Sequence, residues 1–368
     1  MTTAAVGYEP VYGWGKQVMG QTHRTVGRTV AWAVLCIVVA QRVTPAALAR
    51  ALPHEHAGSG RSCLRRVRRW WQGPPVEEVE ISPPLIRQAL RVRPTSQAVV
   101  AMDTTRVGPW EVWVAGIVLG GRTLPIGWAV SPYPWPKGRY RATTLALVTQ
   151  LQAAFPPGVR WRLVADRGFP SAALFAQLRA GGTDVSLRLR LSDWGLVAGV
   201  SAQVMDHLAT GRLRGGHRTA ATVGHGQPAR PRVRGWGVVS AAVAAPPPHK
   251  QNPGTHRDRL ARARRHARHR QHKRGRKTTP PSPLAQRYTQ TWGLSSTAPT
   301  KTQAVREYAC RMASEETYRD WHHHWAVRAA TVSLPTEAMV TRLIGLVCVA
   351  YTLPMLIGYH VSHTPDAQ

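Results

Sequence analysis

The spacing of apolar positions changes character along this chain. From the start to about residue 95 it is helical and rich in arginine. Residues 22–39 form one helix candidate. TPAALARAL (44–52) forms the next, with Thr44 as N-cap and Pro45 at the first helical position, where its missing N–H costs no hydrogen bond. RSCLRRVRRWWQG (61–73) sets Arg65, Arg66, Arg68 and Arg69 beside Trp70 and Trp71. At SQAVVAMDTT (96–105) the pattern turns to strand, with an apolar run ending at Asp103. WEVWVAGIVLG and TLPIGWAVS follow, joined at Gly120-Gly121, which predicts a β-hairpin. A helix over 142–155 and a strand over 159–170 that stops at Asp166 come next. A short helix over 171–182 with a glycine stop and a strand over 184–192 complete the stretch.

Residues 193 to about 299 break this rhythm. RGWGVVSAAVAA (234–245) is strand-like, and RDRLARARRHARHRQHKRGRK (257–277) is a dense cationic run bordered by proline-rich segments. The expectation is an inserted β-rich subdomain (193–299) with a basic loop at about 250–280. QTWGLSST (290–297) resumes as a strand, a helix follows over 306–325, and an apolar helix over about 337–358 closes the core. The domain reading is therefore a helical basic domain (1–95), a first part of an α/β core (96–192), the insertion, and a second part of that core (300–360). Three strands, helix, strand, helix, strand is an order that resembles the beginning of a ribonuclease-H-like domain, with an acid ending its first and fourth strands.

Composition narrows the partner. The chain has 368 residues, 43% of them hydrophobic, which is enough for a sizeable core. Lysine and arginine number 49 against 18 acids, a formal charge of +31. A polyanion is the main partner such a surface attracts. For 61–73, a phosphate-gripping surface and a solvated basic helix packed through its tryptophans weigh equally. The apolar runs 30–40 and 343–358 are shorter than the ~20 residues a membrane span needs, so both read as buried helices and no membrane partner is expected. No small-residue cleavage site follows the first run, so no signal peptide is expected. Cys36, Cys63, Cys310 and Cys348 are far apart, which suits a reducing cytoplasm and argues against a zinc ribbon.

The rare acids concentrate in REYACRMASEETYRDWHHHW (306–325), which holds Glu307, Glu315, Glu316 and Asp320. On a single helix with Tyr308 as reference, Arg311 falls at about −60°, Glu315 at about −20° and His322 at about −40°. Glu316 and Asp320 lie near +80° and +120°, on a neighbouring face. Only Glu315 thus shares a stripe with the tyrosine and arginine; the other acids read as ordinary helix charges. The three consecutive histidines point around the helix rather than converge on a metal. His266, His269 and His272 sit among arginines that oppose a cation.

YACRMASEETYRDWH resembles the Y-x2-R-x3-E-x6-K signature of bacterial insertion-sequence transposases with an Asp-Asp-Glu site, the large group named after insertion sequence four. Tyr308, Arg311 and Glu315 match, and His322 stands where the family has lysine. VVAMDTT with Asp103 and LVADRGF with Asp166 resemble the other two elements, and WGLSST resembles the family's strand before the helix. The motifs run in the family's order over residues 96–350.

The resemblance implies an α/β fold with a ribonuclease-H-like core and an enzyme of cut-and-paste DNA transposition, cleaving and joining phosphodiesters. It implies two Mg²⁺ ions, with Mn²⁺ able to substitute, held by Asp103, Asp166 and Glu315. Carboxylates are the hard oxygen ligands magnesium prefers. Tyr308, Arg311 and His322 would contact DNA phosphates, and Trp292 would stack on a flipped base. Outside the stretch the resemblance covers, Arg65, Arg66, Arg68 and Arg69 are the residues that would grip the backbone if 61–73 is the phosphate-gripping surface. The partners implied are terminal inverted repeats and target DNA, with a homodimer in a synaptic complex, in the cytoplasm at the nucleoid. The competing class is a non-catalytic binder of nucleic acid: a degenerate transposase, or an arginine-rich protein using the 257–277 run.

Overall fold

The computed structural model describes residues 24–52, 59–72, 78–190, 194–197, 200–203, 217–224, 237–241, 292–331 and 334–363, with 10, 11 and 13–15. Before the sheet come the helices α1 (Arg24–Ala40), α2 (Pro45–Ala51), α3 (Gly60–Gln72) and α4 (Glu78–Val92). Pro45 opens α2 behind Thr44, whose side chain makes no capping hydrogen bond; the Thr44 carbonyl instead accepts from the Leu48 N–H at 3.0 Å. In α3 the buried positions Cys63, Val67 and Trp70 recur at helical spacing. Arg65, Arg66, Arg68 and Arg69 occupy its exposed side.

A mixed sheet of six strands follows, in the order β3-β2-β1-β4-β5-β10. The first five are β1 (Gln97–Val107), β2 (Trp110–Leu119), β3 (Arg122–Pro132), β4 (Arg160–Ala165) and β5 (Asp184–Leu189). β1 runs antiparallel to β2 and β2 to β3, whereas β1, β4 and β5 are parallel. Gly120 (φ 56°) and Gly121 (φ 77°) make the turn between β2 and β3, a left-handed pair that glycine adopts without strain. Pro125 falls on edge strand β3, beside a register shift that leaves Ile126 as the extra residue. A proline there costs no ladder bond. β10 (Trp292–Ser296) ends in Ser296, whose hydroxyl lies 2.7 Å from that of Ser186 on β5.

Helices cover both faces of the sheet. Gly127 and Trp128 are successive residues of β3 and so face opposite ways. Gly127 meets Leu147 and Leu151 of α5 (Arg139–Ala154). Trp128 is fully buried under Gly345 of the closing helix, α10 (Glu337–His363). Between β4 and β5 lies α6 (Ala172–Ala180), capped by Ser171, which accepts from the Leu174 N–H at 3.2 Å.

Over Glu337–Tyr359, 23 residues, α10 is long and apolar enough to cross a membrane, with a mean hydropathy of 1.9 across its most apolar 18 residues. This corrects the expectation of a run too short to span, since the helix extends beyond the apolar stretch at both ends. Of those 18 residues 78% are buried within the protein. The bent pair Gly27–Ala40 and Pro45–Ala51 passes the same test only if counted as one span.

The chain divides into two compact units. One comprises Met1–Leu187, Ser296–Ala298 and Arg306–Gln368, so helices α1–α4 belong with the sheet. The other comprises Arg188–Ser295 and Pro299–Val305. Its described strands β6 (Trp194–Val197), β7 (Val200–Gln203), β8 (His217–Gly224) and β9 (Gly237–Ala241) pair antiparallel, β6 with β7 and β8, and β8 with β9. The cationic run 257–277, with His266, His269 and His272, lies outside the described residues.

The 306–325 segment departs from the single helix expected. α7 (Lys301–Ala309) and α8 (Met312–Arg319) are separated at Cys310–Arg311, and a π-helical turn spans Asp320–His324 before α9 (Val327–Thr331). Through the break the N–H groups of Cys310, Arg311, Ala313 and Ser314 donate three residues back rather than four.

Candidate active site

Two acids stand side by side because of strand register. Met102 of β1 pairs with Ala165 of the parallel strand β4, so Asp103 and Asp166 follow at neighbouring strand ends. The C-terminal ends of parallel strands are where open α/β sheets place their chemistry. Each apolar run buries its strand and delivers the acid at the point where the strand leaves the core. Asp103 is anchored by the Thr104 N–H, which donates to its Oδ1 at 2.9 Å, and by the Tyr318 hydroxyl, which donates to its backbone carbonyl at 2.8 Å.

The broken helix brings the third acid. Bonds three residues back tighten the turn and bring residues i and i+3 into line, so Tyr308 and Arg311 face the sheet together. The Tyr308 hydroxyl donates to Asp166 Oδ1 at 3.2 Å. One arm of the Arg311 guanidinium donates to Asp103 Oδ2 at 2.7 Å, and the other donates to Glu315 Oε1 at 2.7 Å. Asp103, Asp166 and Glu315 thereby converge, linked through one arginine and one tyrosine. The Glu315 side chain is 44% exposed, that of Asp103 only 16% and that of Arg311 10%. The site is therefore open on the glutamate side.

Charge follows burial. Desolvation pushes the Asp103 carboxyl up to about 6, opposed by Arg311 and the Thr104 N–H and reinforced by the nearby charges of Asp166 and Glu315. That mutual repulsion is a second sign that the three acids share one place. Burial opposes the Arg311 charge, but Tyr308 and the three acids more than offset it, so its pKa rises above the ordinary arginine range.

Among the described residues no three His, Cys, Asp or Glu side chains stand close enough together to hold an ion. The cation between Asp103 and Glu315 is the guanidinium of Arg311. In donor chemistry the acids fit a hard divalent ion, being carboxylates only. That a buried positive group is held between two of them shows that the place favours positive charge.

His322 joins β1 rather than the acids: its Nε2 lies 2.8 Å from the Thr105 hydroxyl, two residues beyond Asp103. Burial lowers its pKa, with Arg328 and His323 adding to the effect, so the ring is neutral at pH 7. His323 and His324 are exposed.

The remaining acids of the segment are not all ordinary helix charges, which corrects that expectation for two of them. Glu307 is buried against Arg162 of β4 at 2.9 Å, and Asp320 takes Arg122 at 2.9 Å and the Tyr351 hydroxyl at 2.7 Å. Glu307 fastens the helical segment to the sheet, and Asp320 fastens it to the sheet and to α10. Glu316 pairs with Arg319 on the same helix, as a surface charge would.

Tyr318 and Thr105 were missed in the sequence. Tyr318 had a readable signal, since it falls at about −80° on the same wheel, beside Arg311. Thr105 had none, because its role depends on a partner 217 residues away. Trp292 begins β10, but its side chain lies outside the described residues. Neither a protein-family model nor a curated protein matches the chain.

Proposed function

We propose that this chain is a DNA transposase with a ribonuclease-H-like core, which cuts a mobile element's ends and joins them to target DNA. The observation that carries the reading is the meeting of Asp103 and Glu315 on one guanidinium, with Asp166 at the adjacent strand end held by Tyr308 of the same helical segment. The motif order resembling the insertion-sequence group, and a charge of +31 suited to DNA, add to it.

Asp103, Asp166 and Glu315 would hold the Mg²⁺ or Mn²⁺ ions. When bound, such ions activate an oxygen nucleophile and stabilise the leaving 3′ oxygen. The chain's own residues orient the substrate. Arg311, which now neutralises two carboxylates, has the planar fork that suits a phosphate and would pass to the DNA backbone when the acids take metal. Tyr308 would follow with its hydroxyl. Tyr318 and the Thr104 N–H hold the end of β1, and with it Asp103, in place. His322, neutral and anchored to Thr105, would give a phosphate a hydrogen bond rather than a fixed charge. The exposed arginines of α3 would supply sequence-independent grip. Synapsis of two element ends calls for a dimer.

The test is Mg²⁺-dependent nicking of DNA carrying the element's terminal repeat. Wild type nicks the end; Asp103→Asn, Asp166→Asn and Glu315→Gln each bind it with wild-type affinity and lose nicking by at least about a hundredfold. Binding without nicking by wild type would return the chain to the class of non-catalytic DNA binders.

A further inference from the structure

On the same unit, the loop between β3 and α5 presents Pro134, Trp135 and Pro136 to solvent. Trp135 is 38% exposed, whereas Trp113, Trp128 and Trp321 are fully buried. An isolated exposed apolar side chain needs no explanation, but this one is held in a built cluster. Tyr133 meets it at 5.1 Å and 87°, and Tyr140 at 4.9 Å and 64°. Both contacts are steeply tilted, so neither ring lies flat on the indole. Phe155 and Trp161, by contrast, stack face to face at 4.9 Å and 7°.

The cluster is tied to both aspartate strand ends. Tyr140 packs on Trp113 and on Phe169, and the Phe169 N–H donates to the Asp166 carbonyl at 3.1 Å. On the other side the Arg106 guanidinium lies 3.3 Å over the Tyr133 ring, three residues beyond Asp103 on β1. The Tyr133 N–H donates to the Pro109 carbonyl at 2.8 Å, which fixes the loop to the β1–β2 turn. Lys137 and Arg141, close to the tryptophan in the chain, are exposed. A partly exposed indole held in an aromatic cluster, with Arg106 packed on one of its tyrosines, pairs an aromatic surface with positive charge, the combination that single-strand binders use: stacking for the base and charge for the backbone.

We infer that Trp135 is a stacking platform for an unpaired nucleobase of the DNA strand whose phosphate lies at the Asp103–Asp166 pair. The proposal rests on the transposase reading for the position of that phosphate, but not for the stacking itself. Opening a duplex end leaves a base to be accommodated, and stacking on an aromatic ring offsets the cost of extruding it.

The test compares a single-stranded DNA oligonucleotide with the same strand carrying abasic residues at its centre, in chelator, where no cutting occurs. Both strands keep the phosphates, so their ratio isolates the bases from the charge of the chain. Wild type prefers the base-containing strand by about 5- to 150-fold. Trp135→Ala erases the preference while binding the abasic strand as wild type does, and Trp135→Phe keeps most of it. An unchanged preference in Trp135→Ala, at an unchanged thermal midpoint, overturns the platform, as does a wild type that shows no preference. A chain that keeps the Trp135-dependent preference but cuts no DNA in Mg²⁺ retains the platform and loses the cutting reaction. One that cuts without that preference does the reverse.

Discussion

Asp103 carries a cost that its position explains. Its carboxyl stands at about 6 instead of the ordinary 3.8, chiefly because the strand end is desolvated. A carboxylate raised in the folded state makes folding less favourable once it is ionised, and the cost is complete above the folded value. Asp103→Asn, an uncharged mimic of the protonated acid, is therefore more stable than wild type at pH 7 by about 1–3 kcal/mol. The advantage shrinks as pH falls through 6 and is gone near 4, where the wild-type side chain is itself protonated. Denaturant midpoints across that range check it, and an Asn variant less stable than wild type at pH 7 contradicts it. Such a cost suits a group kept for chemistry, since a structural acid would relax to a cheaper pairing. The buried pair of Glu307 and Arg162 is the contrasting case in the same segment: no reaction is needed to account for it, because it joins α7 to β4.

Among the elements, α10 decides how the sheet is closed. Gly345 is the point of closest approach, because a Cβ there would stand 2.8 Å from Trp128 Cζ2. The ring has no room to move, being fully buried. Gly345→Ala therefore destabilises the fold by about 1–3 kcal/mol through overpacking, although alanine is the better helix former; an increase in thermal midpoint would contradict this packing.

Sequence periodicity made most of these elements legible. The hairpin glycines, the two strand-end acids and the helix behind Pro45 each depend on neighbours in the chain, so local pattern revealed them. α4 went unlisted because Pro83 and Pro84 sit inside it, where they read as a helix break. The break at Cys310–Arg311 and the π turn were hidden for a different reason. A helical wheel assumes one pitch, and here tertiary partners on β1 and β3 reset it: Tyr318 and His322 bond to β1, and the Thr317 hydroxyl accepts from the Thr123 hydroxyl of β3 at 3.0 Å. The wheel still placed Tyr308, Arg311 and Glu315 together, but it could not show that the arginine would lie between two acids.

For the whole molecule, a charge of +31 would draw any polyanion and is therefore a poor guide to purpose. What separates a cutting enzyme from a cationic scaffold is whether three acids, far apart in the chain, seat one divalent site. The most direct measurement is affinity cleavage of the protein itself. Fe²⁺ takes the place of Mg²⁺ and, with ascorbate and peroxide, releases radicals that break the backbone beside the ion. The account predicts three cuts, next to residues 103, 166 and 315, all suppressed together by excess Mg²⁺ and all weakened when any one of the three acids is neutralised. Cuts confined to one of these positions, or falling elsewhere in the chain, would contradict it.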